Sequence, residues 1–134
     1  MKRVVIDTNV FMSGIFWGGL PLEVLLLWRD EAVDLVISAD ILKEFNAKLI
    51  LAADKFNFKR SVVADWLNFL KAYAIEVEPR EHFHLCRDPK DNKFLDAALA
   101  GEASYIISGD KDLLVLEEFR GIEIVTPAKF LEIM

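Results

Sequence analysis

The sequence predicts an α/β protein with a three-layer α/β/α fold, in which helices cover both faces of a central parallel sheet of about five strands. Short apolar runs alternate with longer segments of helical periodicity, and the connections between them are short. The chain has 134 residues and is 54% hydrophobic, which suffices for one substantial core. We find no internal repeat, low-complexity segment or linker, and therefore predict a single domain over residues 1–134.

The first half of the chain supplies two of the predicted strands. Val4–Ile6 is a continuous apolar run, which is typical of a strand buried on both faces. Val33–Ile37 is the second strand, and Ser38 is placed to cap the helix that follows it. The other helices predicted here are a short one from Phe11 that breaks near Trp17, one over Leu22–Arg29 and one over roughly Asn57–Tyr73.

The second half continues the alternation of strands and helices. The predicted strands are Ala74–Val77, Tyr105–Ile107 and Ile122–Val125. A polar loop covers residues 80–90, and the predicted helices are one from near Asp91 to Gly101, one or two turns over Leu113–Glu118, and one from Pro127. This order completes the three-layer fold.

Composition excludes several classes of protein. Cys86 is the only cysteine, which excludes an internal disulfide and a cysteine-based zinc site and fits a reducing cytoplasm. The longest uncharged stretch, Thr8–Leu22, contains three glycines and a proline and is too short and broken to span a bilayer, so we predict no membrane association. The net charge of −6 is not that of a basic nucleic-acid-binding domain, although metal-holding carboxylates can still act on nucleic acid.

Four acidic residues fall after predicted strands or near the starts of predicted helices: Asp7, Glu44, Asp91 and Asp110. The carboxyl ends of parallel strands meet at one edge of a sheet, so we expect these side chains to converge there. Clustered carboxylates repel one another, and a hard divalent cation such as Mg²⁺ or Mn²⁺ relieves that repulsion. Taken alone, Asp7 has a simpler interpretation as the N-cap of the next helix.

The segments around these acids resemble the PIN domain, a family of metal-dependent ribonucleases that includes the VapC-type toxins of toxin–antitoxin pairs. The matching segments are Ile6–Val10, Ser38–Phe45, Arg87–Leu95 and Ile106–Leu114. Each motif alone is weak evidence, but the four occur in the family's order and span nearly the whole chain.

The resemblance implies that Asp7, Glu44, Asp91 and Asp110 surround one or two Mg²⁺ or Mn²⁺ ions, and that metal-activated water cleaves RNA. It also implies that Asn9 and Ser108 orient the ligands, with Asp112 as an accessory acid. By the same resemblance we expect a toxin with a cognate antitoxin, and a homodimer formed through the early helices.

Asp96 is the competitor of Asp91 for the third acidic position, because both lie on one predicted helix ahead of Asp110. Five residues place the two side chains about 140° apart around that helix, so both cannot be central to one compact site. We choose Asp91, which lies in the first turn and whose spacing to Asp110 resembles that of the family's third and fourth acids better than the spacing from Asp96 does. Asp96 is left as a water-mediated ligand or a solvent-facing residue.

Residues 43–60 form the one locally basic stretch, with Phe45, Phe56 and Phe58 interleaved. Its cations are Lys43, Lys48, Lys55, Lys59 and Arg60. We read these cations as candidate RNA contacts, with an aromatic ring available for stacking on a base; an ordinary solvated helix pair is the alternative. The pair His82 and His84 is interpreted as part of a solvated loop, and Cys86 as inert.

Two other functions remain open from the sequence. A phosphohydrolase would use Asp7 as a nucleophile that forms an aspartyl phosphate, but Asn9 stands where such enzymes carry a second aspartate. A non-catalytic domain would bind RNA or protein only, although all four acids are present.

Overall fold

Helices cover both faces of a six-stranded sheet in the computed structural model, which describes residues 2–134. The strands over these residues are β1 (Lys2–Ile6), β2 (Val33–Ile37), β3 (Ile75–Glu76), β4 (Tyr105–Ile107), β5 (Glu118–Phe119) and β6 (Ile122–Val125). The α-helices are α1 (Thr8–Phe16), α2 (Gly19–Arg29), α3 (Ala39–Lys55), α4 (Arg60–Tyr73), α5 (Asn92–Ala100), α6 (Lys111–Leu114) and α7 (Pro127–Ile133). A single turn of 3-10 helix, Pro89–Asp91, precedes α5. The predicted three-layer fold is confirmed.

The sheet has the order β3-β2-β1-β4-β6-β5 and is parallel except at its β5 edge. β1 lies between β2 and β4, with Val4 opposite both Leu35 and Tyr105. The chain leaves β1 toward β2 on one side, whereas β4 continues toward β6 on the other. A crevice therefore opens between the carboxyl ends of β1 and β4, where ligands bind in sheets of this kind.

The prediction of about five strands omitted β5. This strand pairs antiparallel with β6 through the two-residue turn Arg120-Gly121, in which both residues have positive φ (49° and 83°). Arg120 is not a residue type that signals such a turn, so the hairpin was not evident from the sequence. The helix predicted over Leu113–Glu118 is wrong at its end for the same reason, because α6 stops at Leu114 and Glu118 begins β5.

The start of α4 also differs from its prediction. α3 runs to Lys55 with Phe56 as its C-cap, and Asn57 then takes a left-handed conformation with φ of 60°. The chain therefore turns at Asn57, and α4 begins at Arg60. Ser38 caps α3 as predicted, because its hydroxyl oxygen accepts from the backbone N–H of Ile41.

The core surrounds β1, whose apolar side chains Val4, Val5 and Ile6 are buried. α5 packs against β1, β2 and β4. At Gly101, which caps α5, a Cβ would lie 2.4 Å from Cγ1 of Val36, so a larger residue would force the helix away from β2. This close packing fixes the C-terminal end of α5 against β2.

No single helix within residues 2–134 is long and apolar enough to cross a membrane. α1 and α2 meet the length and composition criteria only as a pair, with a bend of 98° between them.

Candidate metal centre

Asp7 lies at the junction of β1 and α1, and it is both a helix cap and a side chain of the crevice. Its Oδ1 accepts from the backbone N–H of Val10 at 2.9 Å, and its Oδ2 accepts from the hydroxyl of Ser108. Burial raises the pKa of Asp7; the hydrogen bonds from Ser108 and Val10 oppose this, and the nearby charge of Asp110 adds to it. The cap interpretation and the site interpretation are therefore compatible.

Ser108 connects the ends of the two central strands. Its hydroxyl donates to Asp7 and accepts from the backbone N–H of Asp110 at 2.9 Å. Asp110 caps α6, and its Oδ1 accepts from the backbone N–H of Asp112 at 2.9 Å. One buried hydroxyl thus sets the positions of the acidic residues that follow β1 and β4.

Asp91, Asp110 and Asp112 offer ligand atoms that all lie within 4.8 Å of one another, and the residues described contain one such set of three. Oδ2 of Asp91 is buried and has no hydrogen-bond partner. Burial, followed by the hydrogen bond that protonated Asp91 makes with the carboxyl group of Asp110, raises the pKa of Asp91 to about 7. Once Asp91 is ionised, Oδ2 has no N–H or O–H donor to bond with. An unpartnered buried oxygen among hard oxygen donors fits a divalent cation of the Mg²⁺ or Mn²⁺ type.

Glu44 lies at the same cleft in a different electrostatic setting. It accepts from the hydroxyl of Thr8 and from Nζ of Lys93 at 2.8 Å, and Nζ of Lys48 lies 3.9 Å away. Burial alone would raise the pKa of Glu44, but the Lys93 and Thr8 hydrogen bonds and the charges of both lysines lower it overall. Glu44 is thus a paired anion, whereas the three aspartates are crowded together.

The cleft at these side chains has a volume of about 120 Å³. It is lined by Asp7, Thr8, Asn9, Glu44, Lys48, Asp88, Lys90, Asp91, Phe94 and Asp110. All four acids chosen from the sequence reach it, together with the exposed Asn9. Asp112 lies beside the cleft, because one of its carboxylate oxygens is within 4.8 Å of ligand atoms of Asp91 and Asp110. Nε of Arg87 lies 3.1 Å from Oδ1 of Asp112.

Asp96 does not line this cleft. Its Oδ1 accepts from the backbone N–H of Phe83 at 2.8 Å, and its Oδ2 lies 3.2 Å from Nδ1 of His82. Asp96 is also buried, so the alternative in which it faces solvent is wrong, whereas the His82 side chain is 67% exposed, as expected for a solvated loop. The side chain ties the 80–90 loop to α5.

Asn92 makes a second tie to the same loop, and sequence analysis did not identify it. Its Oδ1 accepts from the backbone N–H groups of Leu85 and Cys86 at 3.1 and 2.9 Å. Asn92 and Asp96 are one turn apart on α5, so this helix holds the segment that carries Asp88 to the cleft and Arg87 to Asp112. The thiol of Cys86 is buried, and burial raises its pKa to about 11, which agrees with the prediction that it is inert.

Lys93 contacts the cleft residue Glu44, and sequence analysis did not assign it to the site; the same holds for Asp88, Lys90 and Phe94, which line the cleft. Lys93 lies within the matching segment Arg87–Leu95, but its ion pair with Glu44 joins residues 49 positions apart. The only indication in the sequence that Lys93 belongs near the site was its position two residues after Asp91.

The basic stretch is mostly exposed, and its members have different surroundings. Lys48 is the member that lines the cleft, and Nη2 of Arg60 pairs with Oδ2 of Asp54 at 2.7 Å. Lys43, Lys55 and Lys59 are exposed. Phe45, expected among the interleaved rings, is instead fully buried and stacks on Phe11 with ring centroids 4.6 Å apart.

Comparison with known proteins agrees with this geometry. The family model described as "PIN domain" matches residues 3–112, a range that contains every acidic residue of the cleft. The chain is 32% identical to the uncharacterized protein MJ1680 of Methanocaldococcus jannaschii over 140 positions, which cover 97% of this chain and 90% of the relative. PIN domains are generally nucleases and typically use divalent metals. On this match and this fold, the chain belongs to the PIN domain family.

Proposed function

We propose that this protein is a Mg²⁺- or Mn²⁺-dependent endoribonuclease that hydrolyses RNA phosphodiester bonds. The observation that carries the proposal is the buried, unpartnered Oδ2 of Asp91 beside Asp110 and Asp112 at the carboxyl ends of β1 and β4. A carboxylate that served the fold alone would have its buried oxygens hydrogen-bonded.

Asp91, Asp110 and Asp7 would hold the cation, with Asp112 and Glu44 as further candidates. A cation bound there polarises a phosphate oxygen and lowers the pKa of a water molecule. The Ser108 hydroxyl orients both residues, because it donates to Asp7 and accepts from the backbone N–H of Asp110. Asp91, with its raised pKa, holds a proton near neutral pH in the free protein and gives it up when a cation takes its place.

Two lysines give the same cleft a positive side. Lys93 and Lys48 both face Glu44, and Lys48 also lines the cleft. Two cations against one anion leave a net positive charge for an incoming phosphate. Glu44 keeps these ammonium groups next to the aspartates, where phosphate and metal would meet.

RNA as the substrate, a toxin role with a cognate antitoxin, a homodimer and a cytoplasmic location are parts of this proposal. RNA is supported by membership of the PIN family and by the exposed cations of residues 43–60, namely Lys43, Lys48, Lys55, Lys59 and Arg60. The toxin role, antitoxin and dimer rest on the family resemblance, and the location rests on the single cysteine.

The two alternatives have less support. A phosphohydrolase would need Asp7 as a free nucleophile, but both of its carboxylate oxygens accept hydrogen bonds from Ser108 and Val10. A domain that only binds RNA or protein does not account for the unpartnered oxygen of Asp91.

The proposal is tested by incubating the purified protein with total RNA in Mn²⁺, in Mg²⁺ and in EDTA, and sequencing the new 5′ ends. We expect defined cleavage with either metal, none in EDTA, and loss by orders of magnitude in Asp110→Asn. Asp65→Asn is the matched control, because Asp65 is an exposed residue of α4 outside the cleft. Tight RNA binding without cleavage under every metal condition would favour the non-catalytic alternative.

A further inference from the structure

A group of three aromatic rings, two of them exposed and one half-buried, lies outside the cleft. We call Trp17, Phe56 and Phe58 the aromatic patch. The Trp17 ring centroid is 5.1 Å from that of Phe56 and 5.7 Å from that of Phe58, both in edge-to-face geometry. Trp17 is 62% exposed and Phe56 is 45% exposed, so the packing within the patch leaves much of both rings open to solvent.

Two helices join the aromatic patch to the cleft. α1 begins after Asp7 and has Trp17 as its C-cap; α3 carries Glu44 in its second turn and has Phe56 as its C-cap. They run side by side in the same direction, as three contacts in order establish: Thr8 with Glu44, Phe11 with Phe45, and Trp17 with Phe56. The length of α1 places the patch about 14 Å from Asp7, a separation that a few nucleotides of single strand cover.

Positive charges line the route along α3. Lys48 and Lys55 lie about 40° and about 20° around the helix from Glu44, so the three side chains form one stripe. Lys48 lines the cleft, and Nζ of Lys55 lies 5.3 Å from the centroid of the Phe56 ring. Lys59, next to Phe58, is also exposed. In a chain of net charge −6, a cationic path that ends at open rings favours a polyanion with flat bases.

We propose that the aromatic patch is a stacking platform for an unpaired base of the RNA strand, whose phosphates follow Lys48 and Lys55 from the cleft. The inference deepens the proposed ribonuclease function and rests on it for the direction of the strand. Trp17 supplies the most exposed ring, and base–aromatic stacking tolerates any sequence because every base has a flat face. A second copy of the chain is the weaker occupant, because a two-fold contact on the patch would bring Lys55 and Lys59 against their own copies.

Binding is measured first, with a fluorescently labelled single-stranded oligouridine and Ca²⁺ in place of Mg²⁺. Trp17→Ala should weaken binding by about tenfold, the size expected for one lost stack. Tyr73→Ala is the matched control: Tyr73 is 67% exposed, adjoins Val33 and Asp34 at the start of β2, and lies at the end of α4 away from Phe58. It should bind like the parent protein. RNA should also quench the intrinsic tryptophan fluorescence of the parent protein, and Trp17→Phe should remove most of that quenching.

Cleavage kinetics distinguish a base-stacking role of Trp17 from a purely structural one. With a long oligonucleotide and Mn²⁺, Trp17→Ala should raise KM and leave kcat near the parent value. With a dinucleotide that reaches only the cleft, the two proteins should be equal. Equal losses on both substrates would make Trp17 structural and would overturn the platform.

The remaining outcomes distinguish this inference from the proposed function. If the parent protein cleaves RNA and Trp17→Ala matches it on long substrate, only the platform is wrong. If Trp17→Ala binds RNA normally but changes the mass in solution, the patch is a contact between copies and the platform is again wrong. If RNA binds and quenches Trp17 without cleavage, the platform stands and the nuclease proposal fails.

Discussion

Asp91 and Asp96 lie five residues apart, one in the 3-10 turn before α5 and the other within α5, and they are almost equally buried, at 9% and 8% exposure. Both oxygens of Asp96 have partners in the 80–90 loop. Asp91 has a buried oxygen without a partner and two other acids beside it. Burial therefore does not distinguish a structural carboxylate from a candidate ligand in this protein, whereas unsatisfied hydrogen bonding does.

The largest difference between the two aspartates is expected in RNA cleavage. Asp91→Asn should lower the cleavage rate by at least about a hundredfold, because it removes an anionic oxygen from the proposed cation site. Asp96→Asn should stay within severalfold of the parent protein, since the amide oxygen can still accept from Phe83. Cleavage is followed with one labelled RNA and Mn²⁺, and the reverse ranking would exclude Asp91.

Asp7 is an intermediate case, because its oxygens are hydrogen-bonded and yet its pKa is raised. In the parent protein, Mn²⁺ at a hundredfold excess over Kd should add about 2.7 kcal/mol to the free energy of unfolding. Asp7→Asn should stabilise the metal-free protein by relieving repulsion and should lose most of that response. Denaturant unfolding with and without Mn²⁺ measures both; an undiminished response would remove Asp7 from the site.

Stability should rank the two aspartates in the opposite order to activity, with the larger loss in the free energy of unfolding expected at Asp96. Asp96→Ala should cost about 1–3 kcal/mol without metal, because the partly buried N–H of Phe83 loses its acceptor. Asp91→Ala should cost less in the metal-free protein, since the carboxylate it removes is crowded by other acids. Urea denaturation in EDTA gives both values, and a larger cost for Asp91→Ala would mean that Asp91 serves the fold.

The smallest expected effect is on the pH dependence of stability. In the unfolded chain Asp91 ionises near its ordinary value of 3.8, whereas the folded protein keeps the proton up to about pH 7. The folded state therefore binds more protons between these values, and this contribution to stability is lost as the pH rises from about 4 to 7. In EDTA, the melting temperature should fall less steeply between about pH 4 and pH 7 in Asp91→Asn than in the parent protein. An equal slope of melting temperature against pH would contradict the raised pKa of Asp91.

The parts of this protein that depend on local pattern were predictable from sequence. The apolar runs ending at Ile6 and Ile107 predicted two buried strands, and the order of strands and helices predicted a parallel sheet. The convergence of Asp7 and Asp110 follows, because adjacent parallel strands end at one edge. The helical angle between Asp91 and Asp96 likewise indicated that their side chains would diverge, as they do.

The parts that depend on contacts between distant segments were not predictable. Lys93 reaches Glu44 only because α5 packs beside α3, and no local pattern carries that pairing. The ties from Asn92 and Asp96 to the 80–90 loop need the folded path of a loop without periodicity. β5 depends on a left-handed Arg120, which favoured no turn in the sequence.

Calorimetric titration of Mn²⁺ into the parent protein, Asp91→Asn and Asp96→Asn tests the central claim most directly, because it needs neither RNA nor catalysis. The parent protein and Asp96→Asn should bind Mn²⁺ with similar affinity. Both should release protons near pH 6, since Asp91 must ionise to accept the cation. Asp91→Asn should lose the binding and the proton release together. Parent-like binding by Asp91→Asn, or loss of binding in Asp96→Asn alone, would contradict the assignment of the metal centre to Asp91 and its neighbours.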